Sequence, residues 1–257
     1  MDFFNEKHVL AAKELLYKMA DDQLIIGHRN SEWTGLGPIL EEDIAFSSMA
    51  QDKIGQSEHL YNILHELGEA DADTVAFTRN APQFHCCHLV ELPIGEYDFS
   101  LVRHFFFDFA EAVRFDMLAN SSLQGLAKVA NKYRGEVKYH TIHANSWMRK
   151  LANGDDESKR RIQESINSTW NLALGIFEEG PFEEVLKEAG IFEGEAELRE
   201  NWLNTILPLI EKYGLTVPDK STWQPVYGGR KGEHTQYLQP LLSEMTEVYS
   251  IDPTAEW

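Results

Sequence analysis

The sequence predicts an all-α protein, and two observations carry that reading. Apolar residues recur at spacings of three and four through most of the 257 residues, not in the alternation a half-buried strand shows. Strong turn signals fall between long stretches, where an all-β chain needs one roughly every eight to twelve residues.

The elements follow in order. A first helix is predicted from about Glu6 to Glu32, with a bend or interruption near Asp21-Asp22 and Gly27, ended by the breaker Gly35-Leu36-Gly37-Pro38. A second starts near Leu40 and runs to Leu67, with Gly68 as its C-terminal stop. The connection from Glu69 to Gly95, with Pro82 and Pro93, is longer than a helix-to-helix hairpin needs and reads as a crossover. A third helix spans about Asp98 to Ala119 and a fourth about Leu123 to Leu151, before Asn153-Gly154. One long crossover with two short turns is the connectivity of a ferritin-like four-helix bundle. Beyond residue 155 the pattern predicts further helices to Phe177, from Pro181 to Ala189 and from Glu195 to Tyr213. An extended loop from Pro218 to Gly232 precedes a last helix, His234 to Tyr249, disturbed by Pro240. The whole is read as a single domain, 1–257, with a core bundle over about 6–153 and a C-terminal helical extension over about 155–257.

Charge narrows the partners. With 23 basic and 42 acidic residues the formal charge is −19, which repels nucleic-acid phosphates and anionic lipid. No stretch approaches the about 18 uninterrupted apolar residues of a membrane span; even Phe105-Phe106-Phe107 is bracketed by Arg103, His104 and Asp108. The start, Met1 to Glu6, lacks the basic and apolar regions of a secretion signal, so a cytoplasmic location is expected. The adjacent cysteines, Cys86 and Cys87, do not form an unstrained disulfide. His85-Cys86-Cys87-His88 looks like a metal string, yet four successive side chains diverge on any regular backbone, and a short buried segment is the better reading.

The informative positions lie on the inward stripes. On the second helix Ala45, Met49, Asp52, Gln56, His59 and Ile63 share a face. On the third, Asp108 sits among apolar residues one turn after His104; on the fourth, His140 lies in line with Tyr133, Val137, Ala144 and Trp147. A buried carboxylate needs a compensating partner. In di-iron bundles that partner is metal, held by a Glu from each of two helices and a Glu-x-x-His from each of the other two. Against that pattern Glu32 and Asp108 stand as the lone carboxylates, while Gln56-Ser57-Glu58-His59 and Val137-Lys138-Tyr139-His140 occupy the Glu-x-x-His positions with the first Glu lost. Two iron ions need several carboxylate oxygens, so the cluster Glu32, Gln56, His59, Asp108, Val137 and His140 reads as vestigial. The expectation is a hydrogen-bonded polar cluster with no metal, no cofactor and no catalytic residue in this chain. One ion on Glu32, His59, Asp108 and His140 stays open as the alternative.

Several strings carry a family resemblance. They are Ser31-Glu32-Trp33-Thr34-Gly35, Asp73 to Arg79, Gln83-Phe84 with Leu89 to Pro93, Tyr139-His140, Trp147 to Leu151, Gly228 to Thr235 and Pro240 to Met245. In order and coverage, from about residue 20 to Trp257, the chain resembles the C subunit of the bacterial multicomponent phenylacetyl-CoA epoxidase. The resemblance implies a non-catalytic, ferritin-like subunit paired with a related catalytic A subunit, which carries the di-iron centre and binds the thioester. A reductase and a small accessory subunit complete that assembly, which forms the ring-1,2-epoxide with oxygen and NADPH. His59 departs from what a drifted scaffold would keep, since it is still a ligand-type residue.

Two other readings compete. A self-sufficient ferritin-like metal oxygenase needs substitute ligands from Glu41, Glu42, Asp52, Glu58 or Glu136. An acyl-CoA binder would grip phosphates with Gly228-Gly229-Arg230-Lys231-Gly232, although a solvated turn explains that segment better. The acidic stretch from Glu178 to Glu200 is expected to be a solvated face rather than a reductase dock. Self-association of the isolated chain stays open beside the hetero-oligomer.

Overall fold

The computed structural model describes residues 5–252; the start, Met1 to Phe4, and residues 253–257 with the terminal Trp257 lie outside the described residues. Ten α-helices and several 3-10 turns make up the regular structure, and no strand occurs among the described residues. The helices are α1 (Glu6–Ser31), α2 (Leu40–Glu66), α3 (Ala72–Phe77), α4 (His88–Glu91), α5 (Tyr97–Leu118), α6 (Gln124–Ala152), α7 (Asp156–Leu174), α8 (Glu183–Glu188), α9 (Glu195–Lys212) and α10 (Leu238–Met245). None is long and apolar enough to cross a membrane.

The boundaries follow local chemistry. Asp71 and Asp155 cap α3 and α7 by accepting the backbone N–H of Thr74 and Ser158. Gly68 ends α2 at φ +97, with the Glu69 N–H returning to the Leu64 carbonyl. Three expectations need correction. Helix α1 runs unbroken through Asp21, Asp22 and Gly27. The crossover is not bare loop, because α3, a 3-10 turn and α4 lie inside it. The last helix starts four residues later than expected, so Pro240 falls in its first turn, where a missing N–H costs nothing.

The chain divides into two compact units, residues 5–12 with 94–227 and residues 13–93 with 228–252. The first, unit 1, is organised around α5, which packs against α6, α7 and α9. Few helices are so deeply sunk: Leu101 through Asp108 are all buried. Trp170 of α7 stacks on Trp202 of α9 with ring centroids 5.6 Å apart, and the Trp202 indole donates to the Phe106 carbonyl at 3.0 Å. That bond satisfies the one polar atom of a wholly buried ring. The acidic stretch here is not uniformly solvated. Glu178, Glu183 and Glu195 are buried, and Glu195 accepts from Arg114 at 2.8 Å.

In unit 2, α1 and α2 pack closely: a Cβ at Gly27 would stand 3.0 Å from Ile54, and the Ser57 hydroxyl donates to the Ala20 carbonyl. The segment 228–235 is inserted against residues 82–91. Gly229 and Gly232 pass so near the Cys86 and Pro82 carbonyls that a Cβ would lie 2.2 and 2.3 Å from them. Gly228, Gly229 and Arg230 are buried, so the solvated-turn reading of this segment is corrected: it is an inner latch.

Candidate functional site

Each unit carries part of the sequence-derived cluster. In unit 1, Asp108, Val137 and His140 are all buried, as expected from their stripes. His104, one turn before Asp108, places Nδ1 2.9 Å from Asp108 Oδ2, and His140 Nδ1 approaches Oδ1 at 4.0 Å. The His104 contact is a hydrogen bond, part of the compensation a buried acid requires, whereas 4.0 Å is too long for one to His140. His104 is the partner that sequence spacing offered, at i−4 from Asp108, without its being singled out.

In unit 2, Glu32 is about one-third exposed and bonded to Arg29 at 2.6 Å, so it faces a guanidinium. Gln56 is buried, whereas His59 lies at the edge of α2 with Nδ1 2.8 Å from the Gly55 carbonyl of its own helix. The buried polar side chains of α1 and α2 include Gln23, Asn30, Lys53 and Gln56. Lys53 is 0% exposed, one turn before Gln56. Glu42 is also buried on α2, on one stripe with Met49 and Gln56, so this helix keeps one buried carboxylate beside the carboxamide and the lysine. Gln56 leaves this stripe without the carboxylate of a Glu-x-x-His motif, which a pair of iron ions would draw on.

A richer network lies elsewhere in unit 2. Asp21 accepts from Tyr61 Oη at 2.6 Å, from Arg79 Nη2 at 2.6 Å and from the His85 backbone N–H at 2.6 Å. Arg79 in turn lies 4.0 Å over the Phe84 ring. Burial, reinforced by the Asp21 charge, pushes the Tyr61 hydroxyl well up. Asp22 forms the matching pair with Arg230 and also accepts the Cys87 N–H at 2.8 Å. Two adjacent acids inside a helix signalled an interruption in the sequence; each instead meets an arginine from a distant segment.

Third in this network is Glu91. Its Oε1 lies 2.7 Å from His234 Nδ1, its Oε2 accepts the Thr235 N–H at 2.7 Å, and the Cys86 thiol points at Oε1 from 3.8 Å. Among the described residues, Cys86, Glu91 and His234 are the one trio of possible metal ligands with donor atoms within 4.8 Å of one another. Two ligands on a tetrahedral zinc, each about 2.0–2.1 Å from it, stand about 3.3 Å apart, so the 2.7 Å contact of Glu91 and His234 is a hydrogen bond. His234 Nε2 lies 3.0 Å from the Phe84 carbonyl, and burial together with Glu91 pushes the Cys86 thiol well up. The trio is a knot that ties 228–235 to 84–91. His85 and His88 turn to the carbonyls of Arg230 and Glu233, so the His85 to His88 string diverges as its spacing predicts.

The family model described as phenylacetic acid catabolic protein matches residues 2–257. The chain belongs to this family. It is also 33% identical over 241 residues to the C subunit of the 1,2-phenylacetyl-CoA epoxidase of Escherichia coli (strain K12), covering 93% of this chain and 96% of that one. Membership of the phenylacetic acid catabolic protein family places the chain in phenylacetate catabolism. The strings that first suggested the family include Arg79, Glu91, Arg230 and His234, the residues that meet in the unit 2 network.

Proposed function

We propose that this chain is the structural, non-catalytic subunit of a cytoplasmic phenylacetyl-CoA 1,2-epoxidase complex, built as a ferritin-like four-helix bundle that scaffolds the related di-iron A subunit. A reductase and a small accessory subunit complete the assembly, and the chain itself holds no metal or cofactor. Its relationship along 93% of its length to the C subunit of such an epoxidase supports the assignment to the complex. The observation that carries the non-catalytic half is the missing carboxylate at positions 56 and 137. Gln56 stands where a Glu-x-x-His motif would have its carboxylate, and Lys53 places a buried ammonium one turn away. In unit 1 Val137 fills the other such position with an apolar side chain. The cluster of Glu32, Gln56, His59, Asp108, Val137 and His140 is a remnant in this reading, with Asp108 hydrogen-bonded to the His104 imidazole.

The acyl-CoA reading loses its main residue, because Arg230 is spent on Asp22 and buried. The decisive experiment co-expresses the chain with the epoxidase A subunit, measures the size and composition of the product, and determines iron in each purified component. The expected result is a stable hetero-oligomer with iron only in the A subunit and epoxidation of phenylacetyl-CoA only by the assembled complex. Stoichiometric iron with oxygen-dependent turnover by this chain alone overturns the reading in favour of a self-sufficient oxygenase.

A further inference from the structure

We propose that the outer face of α6, centred on Tyr139 and Ile142, docks an α-helix of the A subunit, and that this helix carries acidic residues around an apolar contact. The proposal rests on the subunit reading above and names the surface through which it operates. One side of α6 is sunk in unit 1, with Ala130, Tyr133, Val137, His140, Ala144 and Met148 buried. The other side runs from Lys128 through Lys132, Gly135, Tyr139, Ile142 and Ser146 to Arg149, and all of these residues are exposed. Their alternating four-and-three spacing is that of a helix-pairing seam. At about 1.5 Å per residue the seam is about 32 Å long.

The middle of the seam is apolar. Tyr139 is 50% exposed and Ile142 is 55% exposed, next to each other along the stripe, and tyrosine is enriched where subunits meet. Beside them α5 and α6 leave a groove of about 350 Å³, lined by Ala112, Asp116, Arg134, Gly135, Lys138 and Thr141, in which partner side chains can seat. A seam of this length matches the long helices of a bundle; α2, α5 and α6 of this chain run 27, 22 and 29 residues. In the proposed complex the A subunit, as a related bundle, is the component with helices of that kind.

Charge selects the chemistry of the occupant. Six of the chain's 23 basic residues and one of its 42 acidic ones lie on α6. Arg134 is answered by Asp116 of α5 at 2.7 Å, and Lys132 stands one turn from Glu136, so these two cations are set aside. Lys128, Lys138, Arg149 and Lys150 remain, all exposed and spread along the seam. Lys150 lies 4.0 Å over the Trp147 ring, which orients its ammonium and leaves the charge intact. Arg149 and Lys150 also suit the carboxyl end of a helix, a reason that does not extend to Lys128 and Lys138. A two-fold pairing of this face with a second copy would set the four cations against one another. Acids flanking the apolar middle of a partner helix answer them, while the net charge of −19 turns nucleic acid and anionic lipid away.

The test measures binding of the full-length chain to purified epoxidase A subunit, with Lys138→Glu combined with Arg149→Glu, with Tyr139→Ala combined with Ile142→Ala, and with Lys7→Glu combined with Lys220→Glu as a control. The control makes the same change in net charge at exposed lysines elsewhere. All of the altered side chains are exposed, so the thermal midpoints should stay within a few degrees of wild type. The expected result is a Kd weakened on the order of tenfold or more for each α6 variant and within about twofold for the control. Raising the ionic strength from about 0.05 M to about 0.5 M should weaken wild-type binding severalfold and leave the charge-reversed variant nearly unchanged. If Lys138→Glu/Arg149→Glu binds as wild type does, or the control loses as much, the surface is wrong while the subunit reading stands. If wild-type chain fails to bind the A subunit, the subunit reading itself falls. A wild-type homodimer broken by the α6 substitutions assigns the face to a second copy and overturns the acidic partner helix.

Discussion

Arg230 sets its two terminal guanidinium nitrogens 2.8 Å from the two carboxylate oxygens of Asp22, which lies 208 residues earlier. Both side chains are about 2% exposed, and Arg230 also donates to the His85 carbonyl at 2.9 Å. A paired, hydrogen-bonded guanidinium is the form in which an acid survives inside a helical core.

Arg230→Ala should therefore destabilise the chain by about 3–5 kcal/mol, because it strands a buried carboxylate. Asp22→Leu with Arg230→Met removes both charges together and should cost clearly less than the single change. Urea unfolding midpoints of the two variants decide it, and equal losses would mean that the ion pair is not what holds the latch.

Two glycines should respond to alanine with opposite signs. At Gly229 the new Cβ meets the Cys86 carbonyl at 2.2 Å, so backbone must move, and Gly229→Ala should cost about 2 kcal/mol or more. At Gly135 of α6 nothing lies within 4 Å, and Gly135→Ala should stabilise by about 0.5–1 kcal/mol through helix propensity. Thermal melts of the isolated chain measure both.

Burial pulls His28 down to about 4, well below the ordinary imidazole value. Its neutral form is the one that fits unit 2, so between about pH 6.5 and pH 4 the unfolded chain binds a proton that the folded chain refuses. Stability from this group is full above pH 6.5, falls as the pH drops through that window and levels off below about 4. The loss should not exceed about 3 kcal/mol. His28→Gln should flatten the profile over the same range, and an unchanged slope in urea titrations at pH 4 to 7 would show that another group sets it.

Asp108→Ala should cost about 2–3 kcal/mol, since it takes the carboxylate partner from the buried His104 imidazole. Iron content of the purified chain should not change. Loss of bound iron in this variant would turn the cluster from a polar remnant into a ligand set.

Much of the fold was legible because long helices write themselves into apolar spacing. The range read for the second helix, Leu40 to Leu67, differs from α2 by one residue, and the third and fourth helices shift by one at each end. The crossover was legible only as length, since α3 and α4 are too short to show a period. Of the candidate cluster, the stripes correctly buried Gln56, Asp108, Val137 and His140 but placed His59 inward, where it sits at the edge. Lys53 was missed because lysine on a helix normally marks the solvent side. The Asp21–Arg79 and Asp22–Arg230 pairs were missed for a different reason: no spacing rule connects residues 58 and 208 positions apart.

The late position of the latch also sets an order of events during synthesis. Residues 94–227 leave the ribosome as one uninterrupted stretch and can begin to pack while translation continues. Unit 2 cannot close until Arg230 and His234 emerge, after the whole of that stretch. Until then Asp22 and Glu91 wait for their counterparts in a nascent chain, so a chain ended just after residue 227 lacks the closure of unit 2 and keeps the continuous stretch whole.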